Sequence, residues 1–361
     1  MFTSMLDDNL NTALTKRKSE DAFRILSPSE VKIDFCSNDY LGFARKQHKI
    51  LAATGSTGSR LISGHHAIYQ EVETQIASFH GMETALIFNS GYDANLSFFS
   101  TIPQKADTVV YDQLCHASIR DGLRLGIARN FSFNHNDVDD LKQKIEQASG
   151  NVFVVVESVY SMDGDKSPLS QIDDICRTNN AYLVVDEAHA TGVFGPKGGG
   201  LCQEDNVKPF AKTHTFGKAI GCHGAAILGS QTLKDYLINF ARPFIYTTAL
   251  PPHSIAVIKE SYDSLSNSSE ITELHENIAF FKASFHHPSL IKSDSPIQCI
   301  VLGENKKTKR IAQKLQSKEI DVRPILSPTV SKGTERIRIC LHSFNSREEI
   351  SLLCNELKIL I

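Results

Sequence analysis

Residues 182–195 read YLVVDEAHATGVFG, and the reading of this stretch decides the fold. The run Tyr182-Leu183-Val184-Val185 is short, rich in β-branched residues and uncharged, which is the pattern of a strand buried in a parallel sheet and not of a helix. Asp186 closes the run, and His189 follows three residues later as the chain turns. In open α/β sheets ligands bind just outside the carboxyl ends of the strands, so Asp186 is expected to point at whatever this protein holds.

Outward from that strand the same alternation repeats. From about residue 66 to 230, helical stretches such as YQEVETQIASFHG alternate with the apolar runs TALIFNSG, DTVVYD, NVFVVVES and GAAILG, which predicts an α/β large domain with a parallel sheet and crossover helices. Residues 5–24 have helical spacing, and VKIDFCSND reads as a strand entering a loop. After TTALPPHS a helical region runs to about 285. The strand-like runs SPIQCIVLG, IDVRPIL and ERIRICLHS then interleave with a helix, and a last helix closes a small α+β domain. The expected division is an N-terminal helix and arm over 1–45, a large domain over 46–250, and a linking helix with the small C-terminal domain over 251–361.

Composition narrows the function classes. The 361 residues are 41 % hydrophobic and 22 % charged with a net charge of -3, so nothing draws the whole chain toward nucleic acid or an anionic membrane, and any anion site must be local. Eight cysteines are scattered without a CxxC pair, which suggests neither a metal site nor a disulfide framework and fits reduced thiols in a cytoplasm. The first 24 residues carry charge throughout, and no later run approaches the ~20 apolar residues of a membrane span, so an untargeted, soluble protein is expected.

The chemistry gathers around three turns. In THTFGKAIGCHGAAILG, Lys218 sits in a glycine-flanked turn, with Gly217, Gly221 and Gly224 allowing close backbone approach and Thr215 three residues before it. A lone lysine in a turn is ordinarily only solvated. Here the context argues for an imine with an aldehyde cofactor, and pyridoxal 5'-phosphate binding pairs such a lysine with an acid at the ring nitrogen, the role open to Asp186. The segment LIFNSGYDANLSF offers a strand, the turn Ser90-Gly91-Tyr92 and a helix whose first amides suit a phosphate dianion. In YDQLCHASIRDG, His116 either stacks on the cofactor ring or caps a helix.

These pieces occur together with FCSNDYLGF (35–43), GSRLISG (58–64), ESVYSMDGDKSPL (157–169), IYTTALPP (245–252) and SPTV (327–330). In that order and spacing, over nearly the whole chain, they resemble the α-oxoamine synthases, which are fold type I pyridoxal-phosphate enzymes. The resemblance implies a large domain with a mostly parallel seven-stranded sheet, a small C-terminal domain and an N-terminal arm. It also implies a set of roles. Lys218 would hold the cofactor and act as base, Asp186 would pair with the pyridinium, and His189 and Ser161 would hold the ring. Ser90, Gly91, Tyr92 and Thr215 would take the phosphate, and His116 would stack on the ring and meet substrate. Thr247 and Thr248 lie where a partner subunit reaches the phosphate, which implies a homodimer with shared sites. Arg24, Asn38, Thr329 and Arg336 would contact substrate, and Glu157 lies in a matching motif where strand-end hydrogen bonding is an equal alternative.

Two positions depart from the family pattern: Leu326 stands where relatives have an arginine, with Arg323 three residues earlier, and Tyr69 stands where histidine is common and is read as packing. The motifs are nearest to the members that condense L-alanine with pimeloyl-CoA, releasing coenzyme A and carbon dioxide. Glycine with acetyl-CoA is the rival chemistry, and a fold that binds cofactor without catalysis is a rival of another class.

Overall fold

The structure is a computed structural model that describes residues 2–26 and 33–361. Val31 and Lys32 of the expected VKIDFCSND strand lie outside the described residues. The chain divides into two compact units: one formed by 38–161 with 166–273, the other by 1–37, 162–165 and 274–361. The boundaries expected at 45 and 250 do not coincide with these units. The helix Pro252–Leu265 packs on the helix Ala67–Phe79 of the sheet-bearing unit, whereas strand β1 (Ile33–Asp34) pairs in parallel with Ile320–Asp321 of the C-terminal part.

The sheet-bearing unit holds strands β2 (Thr84–Phe88), β3 (Thr108–Asp112), β4 (Arg129–Phe133), β5 (Val152–Glu157), β6 (Tyr182–Asp186), β7 (Ala211–Thr215) and β8 (Ala225–Gly229). They form one seven-stranded sheet in the order β2-β8-β7-β6-β5-β3-β4. The pairs from β4 through β7 are parallel, as the alternation with helices predicts. Strand β8, the GAAILG run, is antiparallel to both neighbours, so the sheet is mostly and not wholly parallel. Apolar periodicity reports burial and not strand direction, which is why the run reads the same either way.

Burial follows the pattern expected of a two-face sheet. Leu86, Val109, Phe153, Val155, Val184 and Ile227 pack with Phe98 and Phe99 from the helix Gly91–Thr101 in one apolar cluster. That helix lies against the helix Ala117–Leu125, and Gly122 sets their approach: a Cβ there would stand 2.8 Å from Phe99 Cβ and 3.1 Å from the Asn95 carbonyl. Both helices begin just after the carboxyl ends of strands, capped by Ser90 and His116.

The other unit carries strands β9 (Ile297–Val301), β10 (Ile320–Asp321), β11 (Arg323–Ile325) and β12 (Arg336–Cys340). An antiparallel sheet in the order β11-β12-β9, with the helices Asn305–Gln316 and Arg347–Leu360, makes the expected small α+β fold. The N-terminal helix spans Phe2–Ser19. No helix among the described residues is long and apolar enough to cross a membrane.

Candidate active site

Register places two acids side by side. Glu157 ends β5 and Asp186 ends β6, and the two are direct partners across the parallel ladder, with Thr213 of β7 opposite Asp186 on the other side. Beyond these strand ends lies a cavity of about 190 Å³ lined by Gly91, Tyr92, Asn95, His116, Ser118, Glu157, Asp186, Ala188, His189, Thr213, Thr215 and Lys218. Six residues singled out from sequence for cofactor or catalysis therefore share its wall with Asp186.

Asp186 is 7 % exposed and accepts hydrogen bonds from Asn95 Nδ2 at 2.7 Å and from the Ala188 amide at 2.9 Å. Two donors on a buried carboxylate fix its orientation. Asn95 also reaches Ser118 Oγ at 3.0 Å, which ties the strand end to both helices. His116 caps the second helix: its Nδ1 accepts the Ser118 amide at 3.2 Å. The structure shows the capping role, and the same residue lines the cavity. Burial pushes its imidazole below the usual range, partly opposed by Asp186.

His189 Nδ1 meets Tyr40 OH at 2.8 Å, and Tyr40 OH donates to Asn38 Oδ1 at 3.2 Å. Asn38 thus acts on the site through Tyr40, which was not singled out from sequence although it lies inside the quoted FCSNDYLGF motif. Asn95 was likewise passed over inside NSGYDAN; its place four residues after Gly91, one helical turn on, is the signal that could have found it.

The anion end is built from the turn before the first helix. Ser90 Oγ accepts the Asp93 amide at 3.1 Å, whereas the amides of Gly91 and Tyr92 have no hydrogen-bond acceptor among the described residues. A Cβ on Gly91 would lie 3.6 Å from Thr215 Oγ1, so the threonine hydroxyl stands beside those amides. Tyr92 OH donates to Asp121. Asn89 Nδ2 donates to Thr247 Oγ1 at 3.0 Å and to the Thr248 carbonyl at 2.7 Å, which holds both threonines next to the same turn within one chain.

Glu157 is 3 % exposed, and its Oε1 has no partner among the described residues. The backbone N–H groups of His116 and Ser161 bond to the carboxylate, which is how Ser161 enters the site. Burial, followed by the charge of Asp186, pushes its carboxyl up to about 8 against the opposing pull of Lys218.

The remaining expected residues lie in the other unit. Arg24 Nη2 donates to Thr329 Oγ1 at 3.0 Å. Arg336, 6 % exposed, donates from Nε to the Thr334 carbonyl at 2.8 Å and pairs through Nη1 with Asp163. Arg323 pairs with Asp321, Nε to Oδ1 at 2.9 Å. Tyr69 packs as expected: it is 1 % exposed, its hydroxyl donates to the Leu250 carbonyl at 2.7 Å, and Arg60 lies 4.1 Å over its ring.

The comparisons with known proteins agree with this architecture. The family model described as aminotransferase class I and II matches residues 30–357. An 8-amino-7-oxononanoate synthase from Emericella nidulans is 38 % identical over 388 residues, covering 96 % of this chain and 93 % of that protein. The crystal structure of 8-amino-7-oxononanoate synthase from Francisella tularensis superposes with a TM-score of 0.78 at 30 % identity, covering 92 % of this chain and 97 % of that one. A serine palmitoyltransferase from S. paucimobilis, solved with bound PLP–myriocin, gives a TM-score of 0.87 at 25 % identity over 98 % of this chain and 96 % of that chain.

The chain belongs to the aminotransferase class I and II family, in the α-oxoamine synthase group of fold type I enzymes. Its residues fit the pyridoxal 5'-phosphate of that family. One cavity offers an amine at Lys218, a doubly held carboxylate at Asp186, an imidazole at His116, and paired amides with a hydroxyl for an anion. Glu157 lines the same cavity.

Proposed function

We propose that this protein joins L-alanine to pimeloyl-CoA with loss of carbon dioxide and coenzyme A, forming 8-amino-7-oxononanoate for biotin biosynthesis. The observation that carries the reading is the gathering of Lys218, Asp186, His189 and His116 around one cavity at the strand ends of a chain similar, over nearly its full length, to 8-amino-7-oxononanoate synthases.

Pyridoxal 5'-phosphate, when bound, supplies an aldehyde for imine formation and a protonated ring that draws electrons from the amino acid's Cα. The residues divide the remaining work. Asp186, held by Asn95 and Ala188, keeps a proton at the ring nitrogen. Lys218 Nζ takes the Cα proton as general base once its amine is released. His116, which lines the cavity, stacks on the cofactor ring, and the Gly91 and Tyr92 amides with Thr215 Oγ1 bind the phosphate. His189, oriented by Tyr40, helps hold the cofactor ring. Arg24, steadied by Thr329, receives the free carboxylate at the far end of the pimeloyl chain. Arg336 binds the amino acid's carboxylate, a role that requires exchange with its Asp163 partner.

The working form is a homodimer in a cytoplasm. Leu61, Ile62 and Tyr246 are exposed apolar side chains of the sheet-bearing unit, and a second copy of the chain would cover such a surface and bring Thr247 and Thr248 to a shared site.

The test is a matrix of amino acids against acyl thioesters, scored by coenzyme A release. Alanine with pimeloyl-CoA should give the highest kcat/KM. Preference for glycine with acetyl-CoA would replace this reading with an acetyltransferase.

A further inference from the structure

Along the cavity wall a chain of hydrogen bonds runs from Asp186 to His116, all of it within the sheet-bearing unit. Asn95 Nδ2 donates to Asp186 Oδ2 at 2.7 Å and to Ser118 Oγ at 3.0 Å, so both hydrogens of that amide are committed. Ser118 Oγ accepts from Asn95 and keeps its own hydrogen for His116 Nδ1, 2.8 Å away. The Ser118 backbone amide donates to the same nitrogen at 3.2 Å. Asn95 and Ser118 are buried, where a polar group deprived of its partner is costly, so this order of donors and acceptors is held.

The two donors converging on Nδ1 decide the state of the ring. A backbone N–H cannot turn into an acceptor, so Nδ1 must present its lone pair and carry no hydrogen. The ring is then neutral with its hydrogen on Nε2. The Nδ1–H tautomer and the imidazolium would each set a ring N–H against the Ser118 amide and break the helix cap.

We propose that Ser118 and Asn95 are positioning residues that hold His116 as the neutral Nε2–H imidazole, so that the ring stacked on the cofactor carries no positive charge. The role rests on the reading of the cavity given above; the tautomer does not. An imidazolium over a protonated pyridine ring would set two cations face to face and oppose the proton that Asp186 keeps at the ring nitrogen. Asn95 meets both needs with one amide. One of its hydrogens orients the carboxylate, and the other, through Ser118, keeps the imidazole hydrogen off Nδ1.

The charged and titratable groups around His116 are Asp186 at the end of β6, Lys218 in the turn after β7, Glu157 at the end of β5, Tyr92 on the first helix, and Arg120 and Asp121 on its own helix. Asp186 and Asp121 favour an imidazolium, whereas Lys218, Arg120 and burial oppose it. The Ser118 donors therefore act where the surrounding charges pull in both directions.

The tautomer is read from 1H–15N spectra of the full chain carrying 15N-labelled histidine, with His116→Gln identifying the resonances. At neutral pH the cofactor-free protein should show a bare Nδ1 and a protonated Nε2. A hydrogen on Nδ1, alone or with one on Nε2, overturns the proposal whatever the cavity binds. In Ser118→Ala one donor to the neutral ring is gone, so the His116 titration should move up by about 0.5–1 pH unit; an unmoved midpoint overturns the part given to Ser118.

The role is read after loading with pyridoxal 5'-phosphate. The His116 resonances should shift while the hydrogen stays on Nε2, and the acid limb of kcat/KM for the amino acid should move up in Ser118→Ala together with the His116 midpoint. Conversion of His116 to an imidazolium on loading, or an acid limb that stays in place, overturns the role. A protein that takes up no pyridoxal 5'-phosphate overturns the role together with the reading of the cavity, and the spectrum of the cofactor-free protein still decides the tautomer.

Discussion

Arg24 and Thr329, 305 residues apart in the chain, meet through a hydrogen bond from Nη2 to Oγ1 of 3.0 Å. The contact joins two residues that the family motifs single out separately for substrate. It leaves the guanidinium with further donors while restricting its motion, which is what recognition of a distant carboxylate requires. A charge-assisted hydrogen bond is worth roughly 1.5–3 kcal/mol, so Arg24→Ala should lower kcat/KM for pimeloyl-CoA about tenfold to a hundredfold. A neutral thioester of similar length should be almost unaffected. An equal fall for both substrates would make Arg24 a structural residue, and Thr329→Val should reproduce the selective loss in weaker form.

Asp186 depends on Asn95, whose amide donates to it at 2.7 Å. Asp186→Asn should lower kcat by about a hundredfold or more, because a neutral amide cannot stabilise a protonated ring nitrogen. Asn95→Ala leaves the carboxylate in place with one donor fewer. It should weaken cofactor retention and cost about 1–3 kcal/mol of stability, read from denaturant midpoints with and without added pyridoxal 5'-phosphate. Unchanged retention in Asn95→Ala would separate this contact from cofactor binding.

Much of this was legible in the sequence, and the illegible parts share a physical cause. Strands β5 and β6 announce themselves because both faces are buried and nearly every residue is apolar. Strand β4 escapes notice as a sheet-edge strand with mostly exposed side chains, and β7 escapes for the opposite reason, since it is buried yet carries Lys212, Thr213 and His214. Two of those residues bond to tertiary partners: Lys212 Nζ donates to the His80 carbonyl at 2.7 Å, and His214 Nδ1 meets Thr191 Oγ1 at 2.7 Å. Lys218, Asp186, His189 and His116, which line one cavity, each sit in a short local motif. The supports Asn95 and Tyr40 act across 91 and 149 residues of chain, a distance over which no local pattern speaks.

The same buried polar layer makes stability depend on acid. His80 stacks on His214 at 3.7 Å and its Nε2 meets Tyr262 OH at 2.9 Å. Burial, with Lys212 nearby, pushes the His80 imidazole down to about 3, and burial with His80 lowers His214 as well. The folded state therefore keeps both rings neutral where the unfolded chain binds protons. Their contribution is present above about pH 6.5 and is lost as pH falls from there toward about 3. Denaturant unfolding should show stability declining from pH 7 to pH 5, with a shallower decline in His80→Gln. An identical slope in the variant would remove His80 from the account.

Glu157 acts in the opposite sense. Its carboxyl is raised from 4.5 to about 8, so the folded state holds a proton that the unfolded chain has released, and its burial costs progressively more as pH rises through that window. Glu157→Gln should therefore gain stability relative to wild type between about pH 4.5 and 8 and show no further gain above it. A constant difference across the window would contradict a raised carboxyl.

The central claim, that the cavity at the ends of β5, β6 and β7 is the cofactor site with Lys218 as its amine, meets its most direct test in borohydride reduction of the pyridoxal-phosphate-loaded protein followed by peptide mass mapping. The account predicts one reduced pyridoxyl group, on Lys218, and none in Lys218→Ala, which should stay folded and lose turnover. Stable labelling at another lysine, or turnover surviving in Lys218→Ala, would contradict it.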